Sequence, residues 1–176
     1  MPTFFGLLFV SFLLQYFVRI LQIGGNENAD CFMGFGLFFS LWVVIVAKFS
    51  DIGALLIGKA IGRTKMAPSI SPGKTIEGLI GGFAASAGIG ALLPWLFQEK
   101  FTDIVFFGDW IFTPGQGAIW GTLLALSAVI GDLIASVLKR LASMKDSGGA
   151  IPGIGGLFDL TDSLILAAPT GYFILF

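Results

Sequence analysis

The chain has 176 residues, of which 56% are hydrophobic and only 12% charged. An ordinary soluble domain carries roughly twice that charged fraction, so a soluble fold would struggle to cover its surface. Net charge is −1, which gives no support for a nucleic-acid partner, and there is no histidine and one cysteine, Cys31. An intramolecular disulfide and a thiolate zinc cluster are therefore excluded, along with the commonest general base and the commonest transition-metal ligand. Any bound metal must be held by carboxylates, which selects hard cations.

A membrane helix needs about 20 mostly apolar residues, and the chain reads as a succession of such stretches in one membrane domain covering 1–176. The first runs from about Thr3 to Ile23. It has no basic leader and no small-residue cleavage site, so it is expected to span rather than to be removed. The second begins at Cys31, meets Lys48 and Asp51, and continues apolar to Ile61, as one helix or two. A basic loop carrying Lys65, Pro68, Pro72 and Lys74 follows. The third stretch runs from about Ile76 to Phe97, the fourth from Gly117 to Leu138, and the fifth from Asp159 onward, after a Gly-rich loop over 139–158. The predicted fold is all-α, a polytopic bundle of five or six membrane helices. Gly58/Gly62, Gly78/Gly82 and Gly117/Gly121 have the GxxxG spacing of close helix–helix seams.

Charge sets the orientation. The stretch 59–74 carries Lys59, Arg63, Lys65 and Lys74 with no acid, and the stretch 139–149 carries Lys139, Arg140 and Lys145 against Asp146. The other two loops are net acidic. The positive-inside rule then puts the basic loops in the cytoplasm, with Arg19 a mild exception.

Ionisable groups within apolar helices cost about 2.5–3.5 kcal/mol each on insertion scales. Asp51, Asp132, Asp159 and Asp162 all incur this cost. Each acid could pair with a base and fix helix packing. A cluster of acids beside Lys139, Arg140, Lys145 and Asp146 on one side of the membrane instead suits a divalent metal with phosphate. Ser136 lies one turn after Asp132, and the Gly-rich loop with Gly155 and Gly156 can offer backbone N–H groups to phosphate.

The run Ser136-Val137-Leu138-Lys139-Arg140, then Lys145-Asp146, then Ile151-Pro152-Gly153-Ile154-Gly155-Gly156-Leu157-Phe158-Asp159-Leu160-Thr161-Asp162 resembles the signature of the phosphatidate cytidylyltransferase family. Upstream, Asp51-Ile52-Gly53-Ala54, Gly58-Lys59, Gly62-Arg63 and Ser71-Pro72-Gly73-Lys74-Thr75-Ile76-Glu77-Gly78 resemble a second stretch of the same family. The resemblance covers about 48–176. It implies transfer of a cytidylyl group from CTP to phosphatidate, with Mg²⁺, and room for a second cation, held by Asp51, Asp132, Asp159 and Asp162. It further implies catalytic roles for Asp132, Lys139, Arg140, Lys145 and Asp146, and substrate contacts from Ser71, Lys74, Thr75, Ser136, Gly155 and Gly156. Glu77 is expected to brace the basic loop. The enzyme would be a multi-pass protein of the bacterial inner membrane, working on cytoplasmic CTP and membrane lipid; a homodimer is compatible with the sequence.

Three positions depart from the family pattern: Ile154 and Leu160 replace a histidine and an arginine, and Gly73 replaces a lysine. Family members also carry further helices before the matched region, so the chain is expected to be a short form or a fragment. A divergent enzyme for another lipid phosphate, and an inactive paralogue, are the alternatives. An ion- or proton-coupled transporter is the rival from another class, but it leaves unexplained why the bases and the Gly-rich loop share a layer with the acids.

Overall fold

The structure is a computed structural model that describes residues 2–22, 29–67, 71–97, 112–141 and 157–175, with side chains at 11–22, 36–67, 71, 73–97, 112–141 and 161–174. Among these residues there are five helices and one small hairpin: α1 (Pro2–Leu21), α2 (Ala29–Ile61), β1 (Lys65–Ala67), β2 (Ser71–Thr75), α3 (Ile76–Leu96), α4 (Pro114–Leu141) and α5 (Leu157–Leu175).

The second apolar stretch is one continuous helix of 33 residues. At 1.5 Å per residue it is about 50 Å long, well beyond the roughly 30 Å hydrocarbon core. It is thus longer than a membrane crossing requires. Gly36–Ile61, Ile76–Leu96 and Pro114–Leu141 are each long and apolar enough to cross a membrane, and α1 and α5, of 20 and 19 residues, complete the bundle. The protein is a membrane protein built on an all-α bundle.

In the bundle α2 packs on α3, α3 on α4 and α4 on α5, while α1 lies against α5 and α2. Gly58, Gly78, Gly117 and Gly121 of the predicted seams lie at close helix approaches, whereas Gly62 falls just past the end of α2 and faces Thr75. A Cβ on Gly78 would stand 2.7 Å from the Ala54 carbonyl and 3.2 Å from Gly58 Cα, and one on Gly90 would collide with the Gly117 carbonyl oxygen. Without side chains at these points the α2–α3 and α3–α4 backbones approach closely enough for extensive dispersion contact. Toward the end of the bundle formed by the start of α4, the core is aromatic. Trp42, Phe39 and Phe112 are buried with Val43, Val46 and Leu124, and the Trp42 indole donates to the Gly90 carbonyl at 3.3 Å. That bond satisfies the one polar atom the ring brings into the core.

The sequence reading saw only a basic loop where the hairpin lies. β1 and β2 pair antiparallel, with Lys65 opposite Thr75 and Ala67 opposite Ser71 across an irregular register. The hairpin is tied at its base. Ile76 N–H donates to the Thr64 carbonyl at 3.0 Å, and the Glu77 carboxylate accepts from the Arg63 and Thr64 backbone N–H groups at 3.2 Å. Glu77 thus braces this segment as expected, through backbone donors rather than a salt bridge. The Thr75 hydroxyl accepts from Gly78 N–H at 3.1 Å, capping α3.

Candidate active site

Three helices and the hairpin bring acids and lysines together in the half of the bundle nearest the hairpin. Asp132, near the C-terminal third of α4, is the centre. Its Oδ2 stands 2.5 Å from Lys74 Nζ on β2, with about a quarter of each side chain exposed (24% and 26%). Ser136 Oγ lies 3.5 Å from Asp132 Oδ1, at the long limit of a hydrogen bond. Their i,i+4 spacing puts both on one face.

Asp162, in the second turn of α5, is buried. Its Oδ1 accepts the Ser163 N–H at 2.7 Å, and its Oδ2 lies 3.6 Å from Lys139 Nζ. Lys139 follows Asp132 by seven residues, about two full turns and 10 Å along α4, so it projects on the same face toward α5. Arg140, one residue further, is rotated by about 80° from Asp132. It is exposed and makes no ion pair among the described residues. Of the two cations, Lys139 therefore lies closer to the line of Asp132 on α4.

Asp51 on α2 pairs with Lys48 at 3.7 Å. Lys48 Nζ also donates to Ser163 Oγ at 2.9 Å, linking α2 to the residue after Asp162. Lys48 and Ser163 were absent from the predicted site. The signal for Lys48 was available: a cation three residues before an acid, inside an apolar helix, is as costly as the acids. The charge of Asp132 acts on both Asp51 and Asp162, so the three carboxylates form one electrostatic cluster, each beside its own lysine.

In front of Asp51 and Asp132 lies a cavity of about 300 Å³. Ser71, Gly73, Lys74 and Thr75 of β2 line one wall, and Leu55, Met66, Leu79 and Val129 supply its apolar surface. Thr75 is buried, and its hydroxyl is engaged as the helix cap; of the predicted substrate contacts on β2, Ser71 and Lys74 have side chains at the cavity without such a structural duty. Among the described residues no three carboxylates converge on one point. Asp51 and Asp132 nevertheless line one cavity, and Mg²⁺ is commonly held by one or two carboxylates with waters and substrate phosphates completing an octahedron. The donor set fits that requirement. Lys145, Asp146, Ile154, Gly155, Gly156 and the side chains of Asp159 and Leu160 lie outside the described residues.

The chain matches the cytidylyltransferase family over residues 2–176. It is 40% identical over 124 residues to a phosphatidate cytidylyltransferase of Synechocystis, covering 70% of this chain and 38% of that protein. It is 36% identical over 172 residues to the one of Chlamydia trachomatis (97% and 53%) and 30% identical over 168 residues to the one of Bacillus subtilis (96% and 55%). The chain thus spans about half the length or less of these curated relatives. With a family match over residues 2–176, and relatives of 30–40% identity along most of its length, this chain belongs to the cytidylyltransferase family.

Proposed function

We propose that the chain transfers the cytidylyl group of CTP to phosphatidate, forming CDP-diacylglycerol and pyrophosphate, with Mg²⁺ and in one arrangement a second cation. The observation that carries this reading is the cavity where Asp51, Asp132 and Lys74 meet an apolar wall between membrane helices. A substrate pair in which one phosphate is water-borne and the other is fixed to acyl chains needs both kinds of surface. The relatives' names specify phosphatidate as the acceptor.

In the reaction a phosphate oxygen of phosphatidate attacks the α-phosphorus of CTP. The bond to the bridging α–β oxygen breaks, and pyrophosphate leaves with the electron pair. The attacking phosphate is already an anion at neutral pH, so a chain without histidine loses nothing by lacking that base. The difficulty is the approach of two anions, which cationic side chains and a metal ion relieve. Asp51 and Asp132, with Asp159 and Asp162 as the remaining acids of the family set, would hold Mg²⁺, which supplies charge neutralisation at the phosphates. Lys74 and Lys139 are close enough to these acids to exchange a carboxylate for a phosphate oxygen when substrate arrives. Arg140, Lys145 and Asp146 complete the cationic layer in this reading, Ser71 and Ser136 orient phosphate, and Gly155 and Gly156 present backbone N–H groups. The hairpin side is assigned to the cytoplasm of a bacterial cell, at the inner membrane, where CTP is present.

The test is incubation of the purified chain in detergent with CTP labelled at the α-phosphate, Mg²⁺ and phosphatidate. A labelled lipid and released pyrophosphate in equal amounts are expected. A folded chain that labels an isoprenoid-ether lipid phosphate instead would redirect the assignment, and one that labels neither lipid would defeat it.

A further inference from the structure

The end of the bundle away from Asp162 carries a cation among aromatic rings that the proposed reaction does not use. Arg19 lies in the last turn of α1. Its guanidinium carbon stands 5.5 Å from the centroid of the Tyr16 ring and 5.9 Å from that of Tyr172 on α5. The two tyrosine rings are 5.3 Å apart, and Phe173 lies 5.8 Å from Tyr16. Tyr172 follows Asp162 by ten residues, which places this cluster about 15 Å further along α5.

Contact with ring faces stabilises the guanidinium but uses none of its five N–H donors. Arg19 is exposed, and no carboxylate among the described residues pairs with it. The C-terminal position on α1 is favourable for a cation, yet the helix dipole is worth only a few tenths to about 1 kcal/mol and leaves those donors to the surroundings. At the end of a membrane helix, beside tyrosines of the kind that settle at headgroup level, the surroundings are lipid phosphates. Planar N–H pairs match phosphate oxygens in geometry as well as charge. The flanking surface is apolar: Phe12 is 57% exposed and Phe173 is 68% exposed.

We propose that Arg19, held by Tyr16 and Tyr172, binds the phosphate of an anionic phospholipid whose acyl chains run along Phe12 and Phe173. This site is separate from the cavity at Asp51 and Asp132. Its occupant is a resident lipid rather than a reactant, so the proposal is independent of which reaction the chain performs. A zwitterionic lipid brings its own cation beside its phosphate, which offsets part of the attraction and so favours an anionic headgroup.

The test uses the chain reconstituted in nanodiscs with equal phosphatidylglycerol and phosphatidylcholine, without CTP. After mild detergent extraction, native mass spectrometry should find phosphatidylglycerol retained in preference to phosphatidylcholine. Arg19→Gln should lower that retention about fivefold, while Lys65→Gln, which removes an exposed charge outside both sites, leaves it unchanged. Equal retention by a folded Arg19→Gln chain overturns the proposal. As a measurement that needs no variant, phosphatidylglycerol with a photoreactive group near its headgroup should cross-link the unaltered chain within 12–22 or 172–175. Cross-links confined to 66–79 and 129–132, or no retained phosphatidylglycerol at all, likewise overturn it.

Discussion

Lys74 on β2 reaches across the cavity to Asp132 on α4, with Nζ 2.5 Å from Oδ2. One contact thus joins the hairpin to the acid at the centre of the cluster. Removing either partner leaves the other as an uncompensated, three-quarters-buried charge. Lys74→Met and Asp132→Asn are each expected to lower CDP-lipid formation by at least about 100-fold, the loss typical of a removed transition-state electrostatic contact. The thermal stability of the two single variants and the double variant closes a cycle, with an expected coupling of about 1–2 kcal/mol. Near-normal turnover in a folded Asp132→Asn chain would take Asp132 out of the proposed metal site.

Lys48 makes a second cross-element contact, to Ser163 Oγ at 2.9 Å, while standing 3.7 Å from Asp51. It holds α2 and α5 in register at the level of the acids and is a positioning residue. Lys48→Met should raise the Mg²⁺ concentration needed for half-maximal turnover by about tenfold, because Asp51 is then held less firmly. Lys48→Arg should recover most of that shift. A loss of thermal stability with an unchanged Mg²⁺ requirement would reduce Lys48 to a packing role.

How much of this site was legible depends on which signal each residue carried. Asp51, Asp132 and Asp162 stood out because an acid in an apolar run is rare. Their meeting at one level followed from the spacing of the helices that carry them. The hairpin was not legible: β2 is Ser-Pro-Gly-Lys-Thr, with proline, glycine and lysine where strands favour β-branched and aromatic residues. Its conformation comes from long-range anchors, above all Glu77 on the Arg63 and Thr64 N–H groups. Lys139 and Arg140 are neighbours in sequence but about 100° apart around α4, so only Lys139 lies close to the line of Asp132. The continuity of α2 through Lys48 and Asp51 was undecided in sequence; these charges find partners in each other and in α5, so they do not break the helix.

The glycine seam between α3 and α4 makes a prediction with an internal control. A Cβ on Gly90 would collide with the Gly117 carbonyl and come within 3.2 Å of Gly121 Cα, whereas one on Gly88 meets nothing within 4 Å. Gly90→Ala should therefore force the helices apart, at a cost of about 1–3 kcal/mol. Gly88→Ala, relieved of the helix-propensity penalty of glycine, should be neutral or slightly stabilising. Thermal unfolding in detergent reads both. Equal stability of the two variants would mean that the α3–α4 seam does not depend on close backbone approach.

Orientation is open to a direct test. With Cys31 replaced, cysteines introduced one at a time at Arg63 and Lys65 should be shielded from an impermeant thiol reagent in intact cells. One introduced at Asp109 should react. The basic charge on the hairpin side is the reason. The reverse labelling pattern would place the cavity on the side without CTP.

Gly73 lines the cavity at the position where the family pattern has lysine, and a Cβ built there meets nothing within 4 Å. The backbone therefore has space for the side chain that this chain lacks. A lysine at that point would stand beside Lys74 on the wall facing Asp51 and Asp132, where the substrates' phosphates are proposed to lie. A hydrogen bond to a charged group contributes about 1.5–3 kcal/mol, part of which is lost here to the entropy of holding a long, partly exposed side chain. Gly73→Lys is thus expected to lower the KM for CTP or phosphatidate by about three- to tenfold, with kcat changed little, since the contact would serve ground and transition states alike. The variant should fold as the unaltered chain does, because it enters open space and replaces glycine in a strand. A folded Gly73→Lys chain with unchanged KM for both substrates would show that phosphate does not approach β2, and the cationic wall of the site would then have to be sought at Lys139 and α5.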